Sequence, residues 1–342
     1  MFSTVNGALD DLLLQSDRLP HALLIHGPQG IGKRWLAERL AAAFLCEHPD
    51  PLGQSCGTCP ACHWMQAEEH AHPDFRLIEP VGQEGDADST AEESPVSRAG
   101  ARVSAWIKVD QIRELHDFIQ LSSHRQGRRL VLIAPAEALN TEAANALLKS
   151  LEEPPAGVQF ILISHQPARL PRTVVSRCRQ LAIAKPPSEE ALAWLNQEKL
   201  PQPEVALAQA SGAPLLARTL AENGDLTGRL EFLRRIATPG LDPVTAATAL
   251  SDVKIRPLLG WMQRWVYDLV SQHFWGRIRF NPDLQVEIAA LSKHIAPRET
   301  LRFLRQLMRE QRIADHPLNT RLYLENLLLA YRQLFGQSGK GG

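Results

Sequence analysis

Along the first half of the chain, short unbroken apolar runs alternate with longer stretches whose apolar positions recur at helical spacing. Ala22–His26 (ALLIH) is the first such run, and it ends in the Gly/Pro-rich segment GPQGIGK at 27–33. From Arg34 the periodicity turns helical, with Leu36, Leu40, Ala43 and Phe44 at i, i+4, i+7 and i+8. Residues 75–79 (FRLIE) predict a second strand, and 109–121 a helix with Ile112, Leu115 and Ile119 on one face. Residues 130–134 (LVLIA) and 158–163 (VQFILI) are continuously apolar, as strands covered on both faces are. Between them Asn140 is placed to cap a helix over Thr141–Glu152, which Pro154 and Pro155 end. A closing strand is predicted at 181–183. Strands alternating with helices predict an α/β domain with a mostly parallel sheet.

Two stretches depart from this pattern. Residues 81–104 are polar, acidic, small and aperiodic, which predicts a disordered surface loop. After Lys185-Pro186-Pro187 the strand signals stop and the pattern becomes all-α. Helices are predicted over Ser188–Gln197, 204–210, 301–308 and 321–334, the last carrying Leu324, Leu327, Leu328 and Tyr331 as a core stripe. The expected division is an α/β domain over 1–185, a small helical unit over 186–226 and a larger helical unit over 227–342, with the terminal GQSGKGG frayed.

Composition narrows the function classes. At 342 residues and 44% hydrophobic content the chain can bury more than one core. Lys+Arg 37 against Asp+Glu 38 leaves a net charge of -1, so no global basic field draws it to nucleic acid. No apolar stretch reaches the roughly 18 residues that a membrane span needs, and the N-terminus lacks the basic start of a signal peptide. The expected compartment is the cytoplasm, where thiols stay reduced.

The segment Gly27-Pro28-Gln29-Gly30-Ile31-Gly32-Lys33 fits G-x-x-x-x-G-K between a predicted strand and a predicted helix. In such a loop the glycines let backbone N–H groups curl around phosphate, and the lysine reaches the β and γ phosphates. Gly27, Gly30, Gly32 and Lys33 are therefore candidate ATP or ADP ligands. The next position, which holds Mg²⁺ through a Ser or Thr hydroxyl, is Arg34, a cation where the metal belongs. The strand that should end in a metal-holding Asp and a water-orienting acid is followed instead by Ala134 and Pro135. Glu137, three residues past the strand end, is expected to face solvent. Loss of these three functions predicts no Mg²⁺ and no hydrolysis by this chain alone.

Four of the five cysteines, Cys46, Cys56, Cys59 and Cys62, read C-x9-C-x2-C-x2-C, with Gly53, Gly57 and Pro60 among them. Thiolates two residues apart on a tight knuckle can face one Zn²⁺, and four close a tetrahedral shell with no open position, as in structural sites. An iron–sulfur cluster uses similar ligands, a redox C-x-x-C pair suits four clustered cysteines poorly, and His63 or His70 could substitute. Cys178 reads as a buried small apolar residue. Arg177, in Ser176-Arg177-Cys178 at the end of the α/β domain, could reach a neighbouring subunit's nucleotide.

Taken together, HALLIHGPQGIGK, the cysteine spacing, ALNTEAANALLKSLEEPP and SRC at 176–178 resemble the delta-prime family of bacterial DNA polymerase III clamp-loader subunits, over about residues 1–230. The resemblance implies a RecA-like AAA+ domain carrying a zinc module at about 46–62, a small helical lid domain and a C-terminal helical collar domain. It implies assembly into a hetero-pentamer with gamma or tau and delta, and action on a sliding clamp at primed DNA within the polymerase III holoenzyme. By the same resemblance Arg177 takes the place of an arginine finger acting in trans on a neighbour's ATP. Of the polar sensor-type residues after the 158–163 strand, only Ser164 and His165 remain. Two other readings are open at this point: an autonomous P-loop NTPase with structural zinc, and a zinc-ribbon DNA-binding module.

Overall fold

The computed structural model describes residues 1–14, 19–67, 71–80, 106–120, 128–238, 240–250, 254–311 and 319–335. The predicted loop at 81–104, His70 and the terminal GQSGKGG lie outside the described residues. The chain forms two compact units, Met1–Pro187 and Ser188–Gly342.

In the first unit, helix α1 (Ser3–Leu13) precedes β1 (Ala22–His26) and α2 (Lys33–Leu45). Then come α3 (Pro60–Gln66), β2 (Phe75–Ile78), α4 (Val109–Gln120), β3 (Arg129–Ile133) and α5 (Thr141–Glu152). The unit closes with β4 (Val158–Ser164), a short α6 (Arg172–Val175) and β5 (Arg179–Ala182). All five strands are parallel, in the order β2-β3-β4-β1-β5. Every residue of β3 and β4 is buried, which is why their sequences are mostly apolar without alternation, Arg129, Gln159 and Ser164 being the buried polar exceptions. Ile112, Leu115 and Ile119 of α4 and Ala143, Ala144, Leu147 and Leu151 of α5 pack on the sheet. The Asn140 side chain caps α5 by accepting the Ala143 N–H at 2.7 Å, as the sequence predicts.

The closing strand begins earlier than predicted, at Arg179 rather than 181. Backbone pairing, not hydrophobicity, sets its start: Leu23 registers with Arg179 and Leu24 with Gln180 along β1. Ile183 still donates to the His26 carbonyl, at 2.8 Å.

Among its described residues the second unit has helices and connecting turns but no strand, apart from an isolated bridge between Ile295 and Phe335. It comprises α7 (Ser188–Gln197), α8 (Pro203–Gln209), α9 (Pro214–Glu222), α10 (Asp225–Ala237), α11 (Pro243–Ala249), α12 (Ile255–Trp275), α13 (Gln285–Leu291), α14 (Pro297–Glu310) and α15 (Thr320–Arg332). Leu324, Leu327, Leu328 and Tyr331 of α15 are buried as the stripe predicts, and the Tyr331 hydroxyl accepts the Trp265 indole N–H at 2.8 Å. A buried polar knot fastens α8 and α10 to the turn after α12. Asp268 accepts N–H bonds from Arg279 at 2.9 Å and Asn281 at 2.8 Å. The Asn281 side-chain oxygen in turn accepts from Gln209 at 3.1 Å and Arg229 at 2.6 Å. Burial pushes the Asp268 carboxyl above its ordinary range, against the bonds that hold it ionised.

Candidate functional site

The phosphate loop begins where β1 ends, and its shape depends on two glycines above all. At Gly27, with φ of +148°, a Cβ would sit 2.4 Å from the Ile183 carbonyl oxygen. At Gly32, with φ of +99°, it would press on Met1 and Val5 at 3.1 to 3.3 Å. Any side chain at either position would both strain the backbone and clash. Lys33 opens α2 and is only 3% exposed. Its Nζ donates to the Gly27 carbonyl at 2.7 Å and to that of Pro28, so the lysine is folded into its own loop. Burial lowers its pKa to about 8, partly offset by the negative charge of Glu137.

Glu137 therefore does not face solvent, contrary to the reading of its sequence position. It lies in a 3-10 turn, Ala136–Ala138, that directs its carboxylate back over the end of the sheet. Oε1 accepts the His165 backbone N–H at 2.9 Å, while Oε2 is buried with no partner among the described residues. His165 is held below its usual pKa by burial and then by the Lys33 charge. The signal available in the sequence was a single acid within a run of small apolar residues, APAEA. Glu137→Ala is expected to cost about 1–3 kcal/mol by stranding the His165 N–H and to lower the Lys33 pKa further. A solvent-facing glutamate would instead stay within about 0.5 kcal/mol. Denaturant unfolding of the variant separates the two.

Arg34 is held away from any metal-like role. Its Nε lies 2.7 Å from Glu38 Oε1, and its guanidinium also pairs with Glu79, just past β2. Ala134 is buried, and neither it nor Pro135 offers an oxygen side chain at the end of β3. No metal-binding hydroxyl or carboxylate stands at any of these three positions.

Cys46, Cys56, Cys59 and Cys62 come together, with all four sulfurs within 4.8 Å of one another. The Cys46–Cys59, Cys56–Cys62 and Cys46–Cys62 sulfur separations are 3.9, 3.9 and 3.7 Å. A tetrahedron with Zn–S bonds of about 2.3 Å has edges of about 3.8 Å, so the cluster fits a four-thiolate ion. None is a disulfide. Backbone N–H groups of Cys56, Cys59 and Cys62 donate to the sulfurs of Cys46, Cys56 and Cys59 at 3.3 to 3.4 Å, which forms the knuckle. His63 is exposed and outside the cluster.

Arg177 belongs to neither group. It follows α6, donates from Nη1 to the Thr173 carbonyl at 2.9 Å, and lies with Nη2 2.5 Å from Glu152 Oε1. Cys178 beside it is 8% exposed, and burial pushes its thiol up to about 11.

A glycine-rich loop between β1 and α2, under a parallel sheet with β1 between β4 and β5, defines a RecA-like AAA+ P-loop domain, here with an inserted four-cysteine knuckle. The family described as DNA polymerase III, delta subunit, matches residues 9–187, and its C-terminal counterpart matches 224–333. The DNA polymerase III subunit delta' of Pseudomonas aeruginosa is 37% identical over 257 residues, 73% of this chain and 71% of that one. That of Escherichia coli is 30% identical over 322 residues, 92% of this chain and 90% of that one. A Thermotoga maritima protein related to the gamma subunit aligns structurally at TM-score 0.44 and 21% identity, covering 95% of this chain and 99% of its own. The chain belongs to the delta-prime family of DNA polymerase III subunits. No helix among the described residues is long and apolar enough to cross a membrane.

Proposed function

We propose that this chain is a non-hydrolysing clamp-loader subunit that helps place a sliding clamp on primed DNA in the cytoplasm. The observation that carries the reading is an asymmetry between two sites within one AAA+ domain. Arg34, Ala134 and Pro135 take away the oxygens that phosphoryl transfer needs, while Arg177 stands at the domain's far end of the sequence with its guanidinium partly open to solvent. Gamma or tau and delta are the partners this reading requires, with Arg177 directed at the ATP of an adjacent gamma subunit. Zn²⁺ on Cys46, Cys56, Cys59 and Cys62 is structural in this account, because four thiolates leave no position for a substrate. The loop of Gly27, Gly30, Gly32 and Lys33 would hold ATP or ADP without Mg²⁺ and without turnover. Residues 1–185 form the AAA+ domain, 186–226 the lid and 227–342 the collar that joins the ring of subunits.

Reconstitution with one component omitted tests this reading. The purified chain alone is expected to release no phosphate from ATP above the blank. A gamma–delta mixture is expected to load clamp onto primed DNA only when the chain is added. ATP turnover by the isolated chain would instead favour the autonomous NTPase.

A further inference from the structure

The contacts around Arg177 contain more than its placement requires. Glu152 is the last residue of α5, directly ahead of Glu153 and the two prolines that stop the helix. It reaches the Arg177 guanidinium across a separation of 25 residues, with Nη2 2.5 Å from Oε1. On the other nitrogen, Nη1 donates to the Thr173 carbonyl of α6 at 2.9 Å and lies 3.4 Å from Ser176 Oγ. One guanidinium is thus held by two elements, a carboxylate from the end of α5 and a backbone carbonyl from α6. About a third of its side chain (34%) stays open.

An ion pair this exposed adds little to folding stability. It does bear on order, because a long arginine side chain otherwise spreads over many rotamers. A group that must meet charge developing on a phosphate works best when its own geometry is fixed beforehand. The planar guanidinium carries enough donors to be gripped at one edge and still present others outward. We propose that Glu152 is the positioning residue for Arg177, fixing the guanidinium on the surface of this chain so that it enters a neighbour's nucleotide site already oriented. The inference rests on the reading of Arg177 as a residue that acts in trans.

The test uses complete loader reconstituted with variants of this chain, measuring ATP hydrolysis with clamp and primed DNA. Glu152→Gln is expected to lower the single-turnover rate at the adjacent site about three- to ten-fold with ATP affinity unchanged, and Glu152→Asp to recover part of that loss. Glu153→Gln, which removes the adjacent exposed charge, should match wild type. In an Arg177→Ala background Glu152→Gln should cause no further loss, because the group it serves is gone. Thermal melts of all variants should coincide with wild type, since Glu152 is half exposed.

The proposal is overturned if Glu152→Gln leaves the rate unchanged while Arg177→Ala lowers it. A rise in rate also overturns it, since that means Glu152 restrains the finger rather than orienting it. So does an equal further loss in the Arg177→Ala background, which marks a structural effect through α5. Should Arg177→Ala itself leave the rate unchanged, it is the reading of Arg177 in trans that fails first.

Discussion

Removing the proposed Zn²⁺ from Cys46, Cys56, Cys59 and Cys62, by a strong chelator or by Cys59→Ser, is expected to unfold the knuckle at 46–66 while the five-stranded sheet stays intact. The reason lies in what the knuckle has for a core. Its buried cluster consists of Cys46, Cys59, Cys62 and Ala61, with Cys56 packed against them. Apart from one alanine methyl, that cluster is the ligand set itself, and Met65 of α3 is the other buried apolar side chain of 46–66. Four sulfurs within 4.8 Å of one another are joined as thiolates only by an ion between them; without it they take up protons and nothing bonds the shell together. Structural zinc in such small modules contributes on the order of 10 kcal/mol, so its loss exceeds any other stabilising term available there. The sheet has a separate core of Leu24, Val131, Ile133, Phe160 and Leu162 and needs none of it.

Three measurements check this. The purified chain should carry one zinc and no acid-labile sulfide. After chelation four thiols should become reactive, and limited proteolysis should cut within 46–66. Wild-type resistance to proteolysis in metal-free chain would show that the cysteines do not hold the knuckle. Stoichiometric iron and sulfide would replace zinc by a cluster.

Which features were legible in the sequence follows from how local their causes are. β1, β3 and β4 could be read because strands covered on both faces are apolar along most of their length; Arg129, Gln159 and Ser164, buried within β3 and β4, are the exceptions. The Asn140 cap and the proline stop of α5 are set by residues within one turn of the helix ends. The cysteine spacing is itself the geometry of the knuckle. Glu137 points inward because its side chain follows a three-residue 3-10 turn after β3 and meets the His165 N–H just past β4, the neighbouring strand, a contact that exists only once the two strands are paired. The Glu152–Arg177 pair and the Asp268 knot were invisible for a related reason. Each joins residues whose proximity exists only after the sheet or the bundle has formed, and no periodicity records it. The start of β5 was missed because Arg179 and Gln180 are chosen by pairing with Leu23 and Leu24, not by burial.

Arg177→Ala should have the largest effect on function, and its pattern should differ from that of a folding defect. Arginine fingers raise the rate of phosphoryl transfer on the order of 10³–10⁵-fold, because the guanidinium meets negative charge that grows on the γ-phosphate oxygens. The single site facing this chain is therefore expected to lose about 10³-fold in hydrolysis, measured in single turnover. A loader with several ATPase sites would retain turnover elsewhere, so its steady-state rate should fall by less. Arg177→Lys should rescue little, because an ammonium cannot keep both the Glu152 and Thr173 contacts that fix the guanidinium plane. ATP affinity should change little, since the finger acts on charge that develops after binding. Stability should barely move: removing Arg177 leaves only the exposed Glu152 carboxylate and the Thr173 carbonyl, both able to turn to water. A variant that assembles, binds ATP and melts like wild type but fails to fire the adjacent site is the outcome that a donated guanidinium requires. If that adjacent site instead hydrolyses ATP at the wild-type rate, the arginine is an ordinary surface cation and the subunit acts through its shape alone.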